Sequence, residues 1–279
     1  MEIVRAGVLG FCGGVRRAVT MIEEAADQCG PIYTLHAIVH NEHVMARLRE
    51  RGVILVDSLT EIPDNASVAL TAHGAPLMTI AALRARGLNL IDATCPIVQD
   101  AQRTVAENAK AGRFTVIFGD RNHLEVRGLL SQAAGNAVAA ESIDGLELPS
   151  ESKLTIVGQT TKAPEALQAF AEDLTTLLGE TTDVVVQDTT CGEPVARYRA
   201  ARELANQADV VVVVGSPTSA NTRNLYEICK SSGRPAIFIE SAEDIDPSEF
   251  AQTTRIGLTA GASTPDWLID SVERRFQQL

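Results

Sequence analysis

"IVRAGVLGFCGGVRRAVTMIEEAADQ", residues 3 to 28, joins two hydrophobic periods through a glycine-rich bend. Its first part, Ile3 to Leu9, is a short apolar run with β-branched members, which predicts a buried strand. From Gly14 to Gln28 the apolar residues return every three or four positions, which predicts one face of a helix. Between them stands a single cysteine, Cys12, flanked by Phe11 and Gly13. The alternation continues along the chain. Strands are predicted at "SVALTA" (67–72), "LNLIDAT" (88–94), "FTVIFG" (114–119), "KLTIVG" (153–158), "DVVVQDTT" (183–190), "DVVVVVG" (209–215), "AIFIE" (236–240) and "RIGLTA" (255–260). Helical patterns such as "PIVQDAQRTVAENAKA" (96–111) and "PEALQAFAEDLTTLL" (164–178) lie between them. Strands alternating with helices predict an α/β protein with mostly parallel sheets.

At 279 residues and 45 % hydrophobic content, the chain can bury a substantial core as one large or two to three small domains. A net charge of −12 argues against nucleic acid and against a polybasic membrane-binding face, both of which need Lys/Arg patches. The longest apolar runs, such as "VVVVV" at 210–214, fall far short of the roughly 20 residues of a spanning helix. The N-terminus has no signal-peptide layout. A cytoplasmic protein with no membrane partner is expected. Five isolated cysteines, at 12, 29, 95, 191 and 229, fit reduced thiols or ligands better than a disulfide framework.

Three of these cysteines end strands: "VLGFCGG", "LIDATCP" and "VVQDTTCG". Their spacing suggests three similar α/β lobes, over 1–95, 96–191 and 192–279, each giving one thiol. "DATC" and "DTTC" are locally alike, without a detectable longer repeat. In open α/β sheets ligands gather beyond the carboxyl ends of the strands, where helix N-termini offer N–H groups. A lone cysteine is ordinarily a small buried hydrophobe, and Cys29 and Cys229, late in helical patterns, are read that way. Three in one topological slot suggest a site. Three thiolates suit a zinc with three sulfurs or a 4Fe-4S cluster with one iron left without a protein ligand. The long spacing favours a cluster between lobes.

Other polar residues occupy equivalent junctions. His40 ("IVHNEH"), His73 ("TAHGAP") and His123 ("GDRNHLEVRG") are three of only five histidines. Gln159, Thr160 and Thr161 in "GQTTKAPE", Ser219 and Asn221 in "GSPTSANTRN", and Ser263 in "TAGASTPDW" supply neutral donors. Thr161, Ser219 and Ser263 or Thr264 also read as N-caps, with Pro164 and Pro265 in first turns. Neutral donors converging with helix N-termini can hold a phosphate or diphosphate without a lysine cluster. No P-loop or G-x-G-x-x-G follows any strand. Glu125, two positions after His123, is either a first-turn carboxylate or a proton donor with Thr160 as its relay.

The motifs "GFCGGVRRA", "VHN", "AHG", "DATCP", "GDRNHLEVRG", "QTT", "SAN" and "TAGASTPDW", in this order over nearly the whole chain, resemble those of the 4-hydroxy-3-methylbut-2-enyl diphosphate reductase (LytB/IspH) family. The resemblance implies three α/β lobes around a central 4Fe-4S cluster held by Cys12, Cys95 and Cys191. It implies a diphosphate surrounded by His40, His73, His123, Ser219, Asn221 and Ser263, with Glu125, Thr160 and His123 as the catalytic group. It further implies reductive removal of an allylic hydroxyl to give isopentenyl and dimethylallyl diphosphates, with electrons from a ferredoxin- or flavodoxin-like donor. A monomer is expected. The chain departs from the family pattern at Pro194 and Tyr198, where threonine and glutamine are usual, at Leu124 in place of proline, and at Ala220 in place of serine. These departures keep two alternatives open: a paralogous 4Fe-4S reductase or dehydratase acting on another hydroxylated compound, and a non-catalytic cluster-binding sensor.

Overall fold

A computed structural model describes residues 1–149, 153–179 and 182–279. Strand β1 (Glu2–Arg5) leads into α1 (Gly13–Cys29), followed by β2 (Ile32–Thr34), α2 (Glu42–Glu50), β3 (Val53–Leu55), β4 (Ser67–Leu70), α3 (Leu77–Ala85) and β5 (Asn89–Asp92). Then come α4 (Pro96–Lys110), β6 (Phe114–Phe118), α5 (Leu124–Gln132), β7 (Ala137–Ala140), β8 (Leu154–Gly158), α6 (Pro164–Leu178) and β9 (Val184–Gln187). The chain continues through α7 (Gly192–Ala205), β10 (Val210–Val214), α8 (Ala220–Ser231), β11 (Ala236–Ile239), β12 (Arg255–Ala260) and α9 (Asp266–Gln277).

The strands form three four-stranded sheets, in the orders β1-β12-β10-β11, β3-β2-β4-β5 and β7-β6-β8-β9. Every pairing is parallel, so the expected α/β class with three similar sheets holds. One plan underlies all three. In the second and third sheets the first strand in sequence lies between the second and third, and the fourth lies at the edge beside the third. The first sheet repeats this with β10, β11 and β12, but its fourth place is filled from the N-terminus: β1 pairs with β12 in the register Glu2↔Arg255 to Arg5↔Leu258. The second and third sheets thus fall within segments 1–95 and 96–191, whereas the first joins residues 2–5 to strands within 192–279. A strand's partner is set by hydrogen bonds across the fold and not by nearness in the chain.

Two compact units result. Met1–Val19, Ala37–Gly52 and Glu193–Leu279 form one, which holds the first sheet; Thr20–His36 and Val53–Gly192 form the other, which holds the second and third. In the first unit β10, all valine, is buried along its length. Val210, Val212 and Val214 pack with Ile256, Leu258, Leu268, Val272 and Phe276 on one face. Val211 and Val213 pack with Ala201, Leu204 and Leu225 on the other. Burial on both faces explains why the strand reads as a continuous apolar run without alternation. In the second unit β8 does the same, with Ile156 against Leu167, Phe170 and Leu174 on one side and Val157 against Val105 and Leu129 on the other.

The strand expected at residues 3–9 ends at Arg5. Its extension stays beside β12 through the Ala6 N–H to Leu258 and the Gly10 N–H to Ala260, at 2.9 and 3.3 Å, but loses strand geometry. Strands β2, β3 and β7 were not expected; β2 and β3 have three residues each, too few to show a period. Among the described residues no helix is long and apolar enough to cross a membrane.

Candidate functional site

In each sheet the connections reverse direction between the first and third strands, and the crevice opened there is where such folds bind ligands. The polar candidates follow these strands. His40 comes after β2, His73 after β4, His123 and Glu125 after β6, Thr160 after β8, Ser219 and Asn221 after β10, and Ser263 after β12. The cysteines follow the fourth strands: Cys95 after β5, Cys191 after β9 and Cys12 after β1. Each directly precedes a helix, at Pro96, Gly192 and Gly13.

One backbone hydrogen bond recurs in all three cysteine loops. The N–H of Cys12 donates to Ala262 at 3.3 Å, that of Cys95 to Ala72 at 2.9 Å and that of Cys191 to Thr160 at 2.7 Å. In each case the acceptor lies in the loop after the third strand, so thiol loop and donor loop are tied as a pair. The likeness of "DATC" and "DTTC" also has a physical basis. Asp92 Oδ1 accepts from the Thr94 N–H at 3.0 Å and from its hydroxyl, and Asp188 Oδ1 accepts from the Thr190 N–H at 2.8 Å and from its hydroxyl. These are Asx turns that aim the next residue at the helix start. The Cys12 loop has no such aspartate and turns instead at Gly10, where φ is +74°.

The three thiols are half-buried and none of the five cysteines is in a disulfide. The Val15 N–H donates to Cys12 Sγ at 3.4 Å. Partly accessible sulfurs at helix N-termini, where N–H groups favour an anionic ligand, fit thiolate ligation of iron. Among the described residues no three His, Cys, Asp or Glu side chains converge as ligands of one ion. A cluster needs no such convergence, because each thiolate binds its own iron. Cys29 is exposed, whereas Cys229 is buried, which pushes its thiol up to about 11, so both stay outside the candidate site.

In the unit that holds the second and third sheets, the His73 and His123 rings meet edge to face, 5.2 Å between centroids. His123 caps α5, its Nδ1 accepting from the Glu125 N–H at 3.3 Å, which leaves the ring proton of the neutral form on Nε2. Glu125 is fully buried. Its Oε1 accepts from the Thr160 N–H at 2.6 Å, and its Oε2 has no partner among the described residues. Burial raises the carboxyl to about 7, partly offset by hydrogen bonds from the Thr160 backbone and hydroxyl. A carboxyl poised near neutrality beside a hydroxyl is suited to proton transfer.

In the other unit Ser219 caps α8, its Oγ accepting from the Thr222 N–H at 3.3 Å. Ser263 instead donates to the His40 carbonyl at 3.3 Å, and Thr264 donates to the Val214 carbonyl at 3.0 Å. Neither caps α9, which begins after Pro265, and Thr161 does not cap α6, whose N-cap is Ala163. Thr161 accepts from the Gln159 side chain, which braces the Asp120 backbone as well. Asn221 Oδ1 accepts from the Tyr198 hydroxyl at 3.4 Å, and its buried Nδ2 has no partner among the described residues. A donor in that state suits an anionic ligand.

A family model described as LytB protein matches residues 3–277. The chain belongs to the LytB family. A 4-hydroxy-3-methylbut-2-enyl diphosphate reductase of Dehalococcoides mccartyi (strain CBDB1) is 37 % identical over 98 % of this chain and 96 % of its own length. The reductase of that name from Proteus mirabilis (strain HI4320) is 37 % identical over 99 % of this chain and 90 % of its own length. A solved (E)-4-hydroxy-3-methyl-but-2-enyl diphosphate reductase, described as the terminal enzyme of the non-mevalonate pathway, is 34 % identical with a TM-score of 0.80, covering 100 % of this chain and 99 % of its own. The E-1-hydroxy-2-methyl-but-2-enyl-4-diphosphate reductase from Plasmodium falciparum is 28 % identical with a TM-score of 0.86, covering 98 % and 87 %.

Three of the four departures from the LytB pattern, Tyr198 being the exception, fall in the first turns of helices, where the backbone tolerates them. Pro194 lies in the first turn of α7, where a helix N–H has no intrahelical acceptor. Leu124 and Ala220 are the first residues of α5 and α8. One residue of this LytB chain had no role on the sequence reading: Arg197, which is fully buried. Its signal was present, since an arginine in step with Ala200, Ala201 and Leu204 falls on the apolar face of its helix.

Proposed function

We propose that this LytB-family protein is a 4-hydroxy-3-methylbut-2-enyl diphosphate reductase, replacing the allylic hydroxyl by hydrogen to give isopentenyl and dimethylallyl diphosphates. The balance is R–OH + 2 e⁻ + 2 H⁺ → R–H + H₂O. The observation that carries this reading is the buried Glu125 carboxyl, raised to about 7 and bonded to Thr160, at the start of the helix that His123 caps. Such a group is partly protonated at neutral pH and can give its proton to an acceptor that gains basicity.

Cys12, Cys95 and Cys191 are the proposed ligands of a 4Fe-4S cluster, which when bound would supply single electrons and an open iron site acting as a Lewis acid. His40, His73, His123, Ser219, Asn221 and Ser263 hold the diphosphate. The His123 Nε2–H, the Ser219 hydroxyl proton and the Asn221 amide are donors, and the start of α8 adds helix-terminal N–H groups. Glu125 delivers protons through the Thr160 hydroxyl. Binding an anion near Glu125 raises its proton affinity further, so the acid is loaded when substrate is present. A ferredoxin- or flavodoxin-like protein is the proposed electron donor, acting on a monomer in the reducing cytoplasm.

The test is anaerobic turnover of the diphosphate by cluster-reconstituted protein with a low-potential reductant, reading both C5 products. Glu125→Ala is expected to lose about 10²- to 10⁴-fold in kcat. A full cluster with no turnover would overturn the substrate assignment. Pro194 and Tyr198, both on α7, favour one second reading, a paralogue reducing another hydroxylated compound, and that outcome would support it.

A further inference from the structure

Among the described residues Arg197 is the largest fully buried side chain. A guanidinium cannot shed its charge, so its burial is costly unless its donors are used. Nη1 donates to the Ala260 carbonyl at 2.6 Å, and Nη2 donates to the Gly10 carbonyl at 2.7 Å and to Glu193 Oε1, while Nε has no partner among the described residues. Each acceptor is informative. Gly10 is the left-handed turn residue that leads into Cys12, and a Cβ there would meet Ile269 Cδ1 at 2.8 Å. Ala260 ends β12, just before Ala262, the carbonyl that receives the Cys12 N–H. Glu193 sits in the first turn of α7, the helix that Cys191 directly precedes.

One buried cation thus holds the turn before Cys12, the strand end whose loop anchors Cys12, and the helix start after Cys191. The Cys12 loop is also the one without an Asx turn. We propose that Arg197, with Glu193, is a positioning residue for the cluster: it sets the backbone that presents Cys12 and the start of the helix after Cys191. This rests on the cluster reading above. Partners that orient metal ligands typically change metal affinity about 10- to 100-fold when removed.

The experiment compares wild type, Arg197→Lys, Arg197→Met and Glu193→Ala after anaerobic reconstitution. It reads iron and sulfide per chain, the EPR spectrum of the reduced cluster, the rate of iron loss to a chelator and the melting of the apo protein. Glu193→Ala frees only the α7 side and remains informative where Arg197→Met fails to fold, because the Glu193 side chain is 26 % exposed. The expected result is iron loss about 10- to 100-fold faster with an altered EPR spectrum in Glu193→Ala, and a smaller effect in Arg197→Lys. Wild-type spectra and iron-loss rates in folded Glu193→Ala and Arg197→Lys, whatever their melting, would overturn the proposal and make Arg197 a packing residue. A wild type that takes up no cluster would overturn the cluster reading and this proposal with it. A wild type that holds a cluster without reducing the diphosphate fails only the substrate assignment, and the variant spectra then still decide the role of Arg197.

Discussion

Glu125 carries opposite consequences for stability and for chemistry. In the unfolded chain it titrates near 4.5, and in the fold at about 7, so the native state binds its proton more tightly. The contribution is full below pH 4.5 and is lost as pH rises through 7, where the buried carboxylate becomes costly. Relative to Glu125→Gln, the apo wild type is expected to lose on the order of 3 kcal/mol between about pH 4.5 and pH 8, read by urea unfolding at each pH. The same shift keeps the acid partly protonated at neutral pH. Thiol reactivity separates at this scale too. Cys29, exposed, is expected to alkylate quickly in the apo protein, and Cys229, buried with its thiol raised to about 11, only on unfolding, as peptide mapping after timed labelling would show.

Strands and helices differ in how much they carry. Leu258, fully buried in β12 between two paired strands, is expected to cost about 2–5 kcal/mol on truncation to alanine. Val186 on edge strand β9, 40 % exposed, is expected to stay within about 0.5 kcal/mol, by the same urea melts. The loops beyond the strands are tuned by single side chains. At Gly261, after β12, a Cβ would fall 2.0 Å from Thr222 Oγ1, so Gly261→Ala is expected to destabilise by about 1–3 kcal/mol and to displace the start of α8. A melting temperature equal to wild type would show that Thr222 moves aside freely.

The molecule repeats one topology three times and closes the third copy with its own N-terminus. β1 supplies the edge strand of a sheet whose other members come from residues 210–260, so removal of residues 1–5 is expected to strip hydrogen-exchange protection from the β12 amides that face it while β6 and β8 keep theirs. Uniform loss across all three sheets would show instead that the two compact units unfold as one.

Much of this was legible in the chain itself. The all-valine run at 210–214, the three- and four-residue spacing in α1, α4 and α6, and the cysteines and polar residues at strand ends are local records of which faces are buried and where strands stop. They determined the α/β class and the longer helices and singled out the candidate site residues, because burial periodicity and turn chemistry act over a few neighbouring residues. The tertiary structure alone decided that β1 joins β12, that three thiol loops share one backbone hydrogen bond, that Glu125 is buried against Thr160, and that Arg197 is spent on Gly10, Ala260 and Glu193. Those contacts join residues far apart in the chain, and their energy depends on a geometry that no local pattern encodes.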